Sequence, residues 1–409
     1  MFKIIAASII GLYFLFTIFL HILKYRNRYS PIPDELKDVY DQETYLKWKE
    51  YSAEKIKIGI INTCVNFVIV MSLIISDVFA LIVKDISNVY VSAIVILAIY
   101  IGIDSIENTI FNYIYDMKIE QKYGFNRTSL KTFIIDQIKS LFISAILIIG
   151  LTCFFIFLHG ALGDFIILVF SGVLFLFTIF ISFIYPYISK IFNKFTSLED
   201  GELRTALTKM LESHNYHVRD IKVMDASKRT TKSNAYFTGF GKTKTIVLYD
   251  NLLKVMTTNQ IIAIFAHEMG HGIHKDTFKS SILSLLNITI IVVLTWLLVK
   301  FPENYYDFGY AGVNYGFAVI LLINAVIPFV STLLGFFTSY ISRRAEYRAD
   351  EQAVKEGYGE DLIEGLKNLF REDLGDLNPH PLIVLLSYSH PTLLQRMNHI
   401  RELENRNSL

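Results

Sequence analysis

Ala263-Ile264-Phe265-Ala266-His267-Glu268-Met269-Gly270-His271 is the stretch on which the reading of this chain turns. It sets His-Glu-x-x-His in an apolar, helix-forming context, with Ile261 and Ile262 just before it. Each residue of a helix turns about 100°, so side chains four apart stand one above the other, roughly 6 Å apart. His267 and His271 can therefore share one metal ion. Glu268 can reach a water on the open side of that ion and take its proton, which produces hydroxide near neutral pH. Gly270 and Gly272 flank the second histidine and leave room for a close neighbour. Taken alone, the pentapeptide also fits ordinary helix packing. A third ligand from elsewhere in the chain would separate the two readings.

The surrounding composition is that of a membrane protein. Of 409 residues, 53% are hydrophobic, too apolar for a soluble chain of this length. The formal net charge of +1 gives no reason to expect a nucleic-acid partner. Cys64 and Cys153 both lie in apolar runs and read as buried thiols, with no disulfide framework. Seven runs approach the ~20 apolar residues that cross a bilayer: residues 4–23, 58–83, 88–106, 138–158, 165–187, 282–299 and 316–340. The first lacks a basic start and a small-residue cleavage site, so it reads as a retained span. Asp104 and Glu107 interrupt the end of the third. Either they line a polar interior or the helix has already left the membrane there.

Basic residues set the orientation. Lys24, Arg26, Arg28, Lys37, Lys47, Lys49, Lys55 and Lys57 follow the first run, and Lys118, Lys122, Arg127 and Lys131 follow the third. Arg343-Arg344 follow the seventh. The opposite connections hold Lys84, nothing basic but His159 between 159 and 164, and Lys300 at a span edge. This predicts a cytosolic C-terminus, with His267 and His271 on the cytosolic side.

Between residues 189 and 280 lies the main soluble block. Glu202–Ser213 reads as a helix and Asp220–Asp225 as a strand. Asn234–Phe240 and Lys244–Tyr249 read as a hairpin turned at Gly241-Lys242. Leu252–Met256 begins another helix, and Thr258-Asn259 can cap the helix that carries the histidines. A strand pair beside that helix offers an edge to which an extended peptide can add. An ordinary structural hairpin is the plain alternative.

After the seventh run comes Arg344-Ala345-Glu346-Tyr347-Arg348-Ala349-Asp350, in a helical pattern. Glu346 and Asp350 share a face. Glu346 can complete a His₂Glu site, and Asp350 can accept the free ring N–H of a ligating histidine.

At these residues the chain resembles the integral-membrane zinc metalloproteases of the type-I CAAX prenyl protease (sterile-24 homologue) group. The likeness includes Tyr45-Leu46-Lys47, Lys122 to Thr128 with Asp136 and Lys139, Leu198 to Arg204, and Asp225 to Arg229. Ser233-Asn234-Ala235-Tyr236, Ile246 to Asp250, the histidine run, Glu346 to Asp350 and Ser389-His390-Pro391 complete it. The resemblance implies one Zn²⁺ per chain on His267, His271 and Glu346, with Glu268 as general base. It implies a mainly α protein whose seven transmembrane helices enclose a water-filled chamber, with a small α+β cytosolic part. Asn234, with Ala235 and Tyr236, matches the stretch that holds substrate backbone. His390 and Arg396 match residues beside the metal that steady the oxyanion or Glu346. A cap before Pro391 is the local alternative for His390. His214, His217, His274 and His380 read as surface histidines.

The expected segments are 1–188 with five spans, 189–280 with the catalytic motif, 281–340 with two spans, and 341–409 with the third ligand. The expected activity is endopeptidase cleavage near the C-terminus of prenylated CAAX proteins or of other membrane-associated chains. A quality-control protease without prenyl specificity is the alternative. An inactive scaffold and a transporter with structural zinc are the readings from other classes. The partners are a peptide or protein substrate and the lipid bilayer, with a monomeric chain. The compact length favours a bacterial cytoplasmic membrane over the endoplasmic reticulum or inner nuclear membrane of a eukaryote.

Overall fold

The structure, a computed structural model, describes residues 1–214, 218–238 and 245–407. The expected turn at Gly241-Lys242 and His217 lie outside the described residues. The described residues are 78% helical. Among the described residues, six helical stretches are long and apolar enough to cross a bilayer: Phe2–Asn27, Gln42–Ile75, Val89–Glu120, Leu130–Ile181, Asp276–Lys300 and Tyr315–Lys355.

The first two stretches are α1 (Phe2–Asn27) and α2 (Gln42–Ile75). They pack along their length, with Phe14 stacked on Phe67 at 4.1 Å between ring centroids. The second apolar run is not one helix. The chain turns extended at Ser76 and resumes as the short α3 (Val78–Val83). Helix α4 (Val89–Asn112), capped by the Asn88 side chain, continues into a π-helical segment, Tyr113–Glu120. The stretch Leu130–Ile181 contains most of two helices, α5 (Leu130–Leu162) and α6 (Ile166–Phe192). They meet at Gly163, whose φ of 52° lies where side chains are disfavoured.

A four-stranded sheet follows, built from β1 (Phe195–Ser197), β2 (Asp220–Met224), β3 (Ala235–Thr238) and β4 (Thr245–Tyr249) in the order β1-β2-β4-β3. Helix α7 (Glu202–Ser213) lies between β1 and β2, with the predicted bounds. Strands β3 and β4 pair antiparallel, Tyr236 opposite Val247, as the hairpin reading requires. Strand β2 runs parallel to β4, and β1 had no expectation. Among the described strands β3 is an edge. Arg229 pairs with Asp136 at 3.1 Å and ties this part to the start of α5.

Short α8 (Leu252–Val255) leads into α9 (Thr258–Ile273), which carries the histidines. Its cap is Thr257, one residue earlier than expected. Thr257 and Gln260 satisfy each other's backbone N–H groups in a capping box. Helix α10 (Asp276–Lys300) follows a left-handed Lys275. Short α11 (Tyr315–Leu321) passes through a π-helical turn into α12 (Ile327–Lys355), which runs unbroken from its apolar half past Glu346. Helices α13 (Gly359–Asp373), α14 (Pro381–Ser387) and α15 (Leu393–Asn407) complete the chain.

Apolar packing falls into two main clusters. One joins α1, α2, α4 and α11 through residues such as Ile74, Leu97 and Phe317. The other surrounds α9 with Leu207, Ile246, Leu362 and Ile400. Helix α9 is the centre of the second, and every residue from Ile261 to His267 is buried.

Candidate metal centre

Helix α12 crosses α9 so closely that only glycine fits at position 270. A Cβ there would lie 2.8 Å from Ala349 Cα. This contact brings Glu346 over both histidines. Its Oε2 lies 3.5 Å from His267 Nε2 and its Oε1 lies 3.3 Å from His271 Nε2. Ligand atoms bonded at ~2.05 Å to one tetrahedral ion stand about 3.4 Å apart, so the three side chains are spaced to hold a metal. All three ligand atoms fall within 4.8 Å of one another. A second observation points the same way. Glu346 Oε2 is buried without a hydrogen-bond partner. Leaving such an atom orphaned is costly, and a cation satisfies it.

The opposite ring nitrogens are held by carboxylates. His267 Nδ1 donates to Asp350 Oδ1 at 2.9 Å, and His271 Nδ1 donates to Asp276 Oδ2 at 3.1 Å. Both rings thus present Nε2 to the ion as an acceptor. Asp350 is fully buried and is gripped by Arg396, whose Nε donates to Oδ2 at 2.9 Å and whose Nη2 donates to Oδ1. Asp276 also accepts from Arg348 Nη2 at 2.8 Å. Burial and the Arg396 guanidinium push the His267 imidazole down, but the Asp350 and Glu346 carboxylates outweigh both and raise it to about 9. In the metal-free protein that ring is a cation bridging two carboxylates. Burial raises the Glu268 carboxyl, partly offset by the two histidines. A raised carboxyl suits a proton acceptor that must later give the proton back.

The other expected residues fall in different surroundings. His390 reaches the site, with Nε2 3.3 Å from Glu346 Oε1, and its side chain is largely exposed. It caps no helix. Thr392 caps α15 with Gln395, and the histidine that caps a helix before proline is His380, at α14. Arg396 Nη1 lies 3.6 Å from Glu346 Oε2, but its main partner is Asp350. Asn234 is exposed on the strand side of α9. Its Oδ1 accepts from Ala235 N–H at 2.8 Å. Ala235 and Tyr236 begin the edge strand β3. His214 is exposed, as expected, and its Nε2 lies 2.6 Å from Glu356 Oε1. Asp276 and Arg348 were not singled out from the sequence. An acid five residues past the second histidine, at the start of the next helix, was the available signal.

The description of peptidase family M48 matches residues 197–404, just over half of the chain. The chain belongs to peptidase family M48. A second description, CAAX prenyl protease N-terminal, five membrane helices, matches residues 21–194. The CAAX prenyl protease 1 of Saccharomyces cerevisiae is 31% identical over 402 residues, covering 90% of this chain and 88% of that protein. A probable CAAX prenyl protease 1 of Schizosaccharomyces pombe is 33% identical over 291 residues, 71% of this chain and 61% of that protein's length. Among solved structures, S. mikatae Ste24p matches with a TM-score of 0.91 at 28% identity, covering 98% of this chain and 99% of that one. This M48 member is a multi-pass membrane metallopeptidase, a hydrolase.

Proposed function

We propose that this M48 peptidase is a zinc-dependent endopeptidase that cuts near the C-terminus of CAAX proteins. His267, His271 and Glu346 hold the ion, and Glu268 is the general base. The observation that carries this is the meeting of two imidazole Nε2 atoms on one buried carboxylate, one oxygen of which accepts no hydrogen bond.

Zinc bound there supplies a Lewis acid and a water acidified toward neutral pH. Glu268 would accept a proton from the attacking water and return it to the departing amine. Asp350 and Asp276 fix the tautomers of His267 and His271, and Arg396 and Arg348 hold those two acids in place. His390, at the open side of Glu346, is placed to donate to the oxyanion of the scissile carbonyl. Arg396 is a positioning residue. The edge of β3, with Asn234, Ala235 and Tyr236, accepts substrate backbone as an added strand.

Two observations support seven spans around a polar chamber. The helical stretch Leu130–Ile181 has 52 residues, about 78 Å at ~1.5 Å per residue, more than twice a ~30 Å hydrocarbon core. Polar groups also pair inside the helical bundle, Asn66 with Glu107 at 3.2 Å and Tyr100 with Asn324. A cavity of about 480 Å³, lined in part by Lys24, Tyr51, Asn62 and Asn112, fits the chamber's cytosolic end. The segments 1–188, 189–280, 281–340 and 341–409 then serve as five-span frame, motif-bearing block, two-span frame and ligand-bearing tail of a monomer. The basic loops support a site on the cytosolic side of the membrane.

The substrate class comes from the names of the relatives. Purified protein is given a farnesylated Cys-a-a-X peptide and its unmodified twin, each with and without chelator. The reading expects cleavage of the farnesylated peptide that chelator abolishes. Equal cleavage of both peptides moves the function to general membrane-protein turnover, and cleavage that survives chelation rejects the metallopeptidase mechanism.

A further inference from the structure

A second cleft, of about 390 Å³, opens where α12 leaves its apolar half. Tyr340, Arg343, Arg344 and Tyr347 of α12 form one wall, and Leu385 and Gln395 stand among the residues of the other. The lining holds two guanidinium groups and no carboxylate. Arg343 Nη1 donates to the main-chain oxygens of Val384 at 3.0 Å and Tyr388 at 2.7 Å. Arg344 is exposed and donates from Nε to Tyr340 Oη at 3.3 Å. Among the described residues neither arginine pairs with an acid.

Below the cleft, α12 carries an outward apolar stripe. Phe329, Leu333, Phe337, Tyr340 and Ile341 are all exposed, at helical spacing. From Phe329 to Arg344 the helix rises about 22 Å, more than the ~15 Å of hydrocarbon in one leaflet. The stripe is therefore long enough to accompany an acyl chain, with Arg344 at the depth of its headgroup. Guanidinium groups bind phosphate oxygens through paired, charge-assisted hydrogen bonds. Tyrosines and arginines are the side chains that suit the boundary between headgroups and water.

We propose that this cleft is a binding site for one anionic phospholipid. Its phosphate sits between Arg343 and Arg344, and an acyl chain lies along the Phe329–Ile341 stripe. Tyr340 keeps a free hydroxyl hydrogen for a phosphate oxygen, because its Oη accepts from Arg344. The site does not depend on the peptidase reading, and its test does not use activity.

Full-length protein in neutral detergent is titrated with dioleoyl phosphatidylglycerol or dioleoyl phosphatidylcholine, and bound lipid is counted by native mass spectrometry. The expected result is one phosphatidylglycerol held about tenfold more tightly than phosphatidylcholine, the order of one charge-assisted bond. Arg344→Gln should lose about tenfold in that affinity. Arg26→Gln makes the same charge change at the exposed end of α1, outside the cleft, and should stay within about twofold. Soluble glycerophosphoglycerol at millimolar concentration should not displace the lipid. Equal binding of the two lipids, or equal losses in the two variants, would mean diffuse surface charge and overturn the proposal. Displacement by the soluble headgroup would make the ligand a free phosphate ester and overturn it as well.

Discussion

Adding one methyl group at Gly270 should pull the metal centre apart. A Cβ there would stand 2.8 Å from Ala349 Cα, 3.0 Å from Gln352 Cβ and 3.3 Å from Ala349 O. Carbon atoms rest about 3.5–4.0 Å apart, so α9 and α12 must separate by roughly 0.7–1.2 Å. The obstacle is backbone, which cannot swing aside as a side chain would. Zinc bonds tolerate about 0.2 Å, several times less than this shift. Gly270→Ala should therefore weaken zinc binding at least about tenfold and lower kcat/KM by about 10²-fold, the scale of a 1 Å misplacement. Overpacking should cost about 1–3 kcal/mol of stability. The assays are zinc affinity by chelator competition, peptide cleavage, and thermal midpoint in detergent. Gly365 of α13 is the internal comparison, because it also faces α9. A Cβ there would meet Gln260 Cβ at 3.6 Å and Ile264 Cδ1 at 3.7 Å, which is ordinary contact. Gly365→Ala should leave activity intact and stabilise by about 0.5–1 kcal/mol through helix propensity. If Gly270→Ala kept metal affinity and rate within a factor of two, the close crossing would not be what assembles the site.

Three further outcomes are expected. Glu268→Gln should keep one zinc per chain and lose turnover by at least about 10²–10⁴-fold, read from metal analysis beside peptide cleavage. Asp276→Asn should lower zinc affinity about 10–100-fold while leaving the fold intact, because it loosens the tautomer of His271 without touching a ligand atom. In chelated protein, the His267 imidazole, raised to about 9 from an unfolded value near 6.5, contributes stability that is complete below about pH 6.5 and is lost as pH rises through about 9. The thermal midpoint of the chelated form should fall between pH 7 and 9.5, and that of the zinc form should not share this loss.

The parts of the site that were legible in the sequence are those with a local spacing rule. His267 and His271 are one helical turn apart, as are Glu346 and Asp350, so each pair had to share a face. Helix α7 and strand β2 were readable because their apolar residues repeat at the period of their element, and β3 and β4 because two apolar runs flank a glycine-bearing turn signal. What escaped notice depends on tertiary contact. Asp276 reaches His271 only because Lys275 takes a left-handed turn, with φ 55°, that folds the start of α10 back onto the end of α9. His390 and His380 both precede proline, and the local rule favoured a cap at the first. The cap is at the second, and His390 faces Glu346, beside the metal site as the family resemblance implied. Strand β1 is three residues long and has no periodicity to read. The seven apolar runs were visible by length, but the break at Ser76 was not. The gap between the fourth and fifth runs, by contrast, already bracketed Gly163, where α5 and α6 meet.

The central claim is that one divalent ion is held jointly by α9 and α12. Zinc K-edge X-ray absorption on the purified protein tests it most directly, with Glu346→Ala as the comparison. The account predicts one zinc per chain with only nitrogen and oxygen neighbours at about 2.0–2.2 Å, the outer-shell pattern of two imidazoles, and loss of most of the metal in Glu346→Ala. A sulfur neighbour near 2.3 Å, or undiminished zinc in Glu346→Ala, would contradict it.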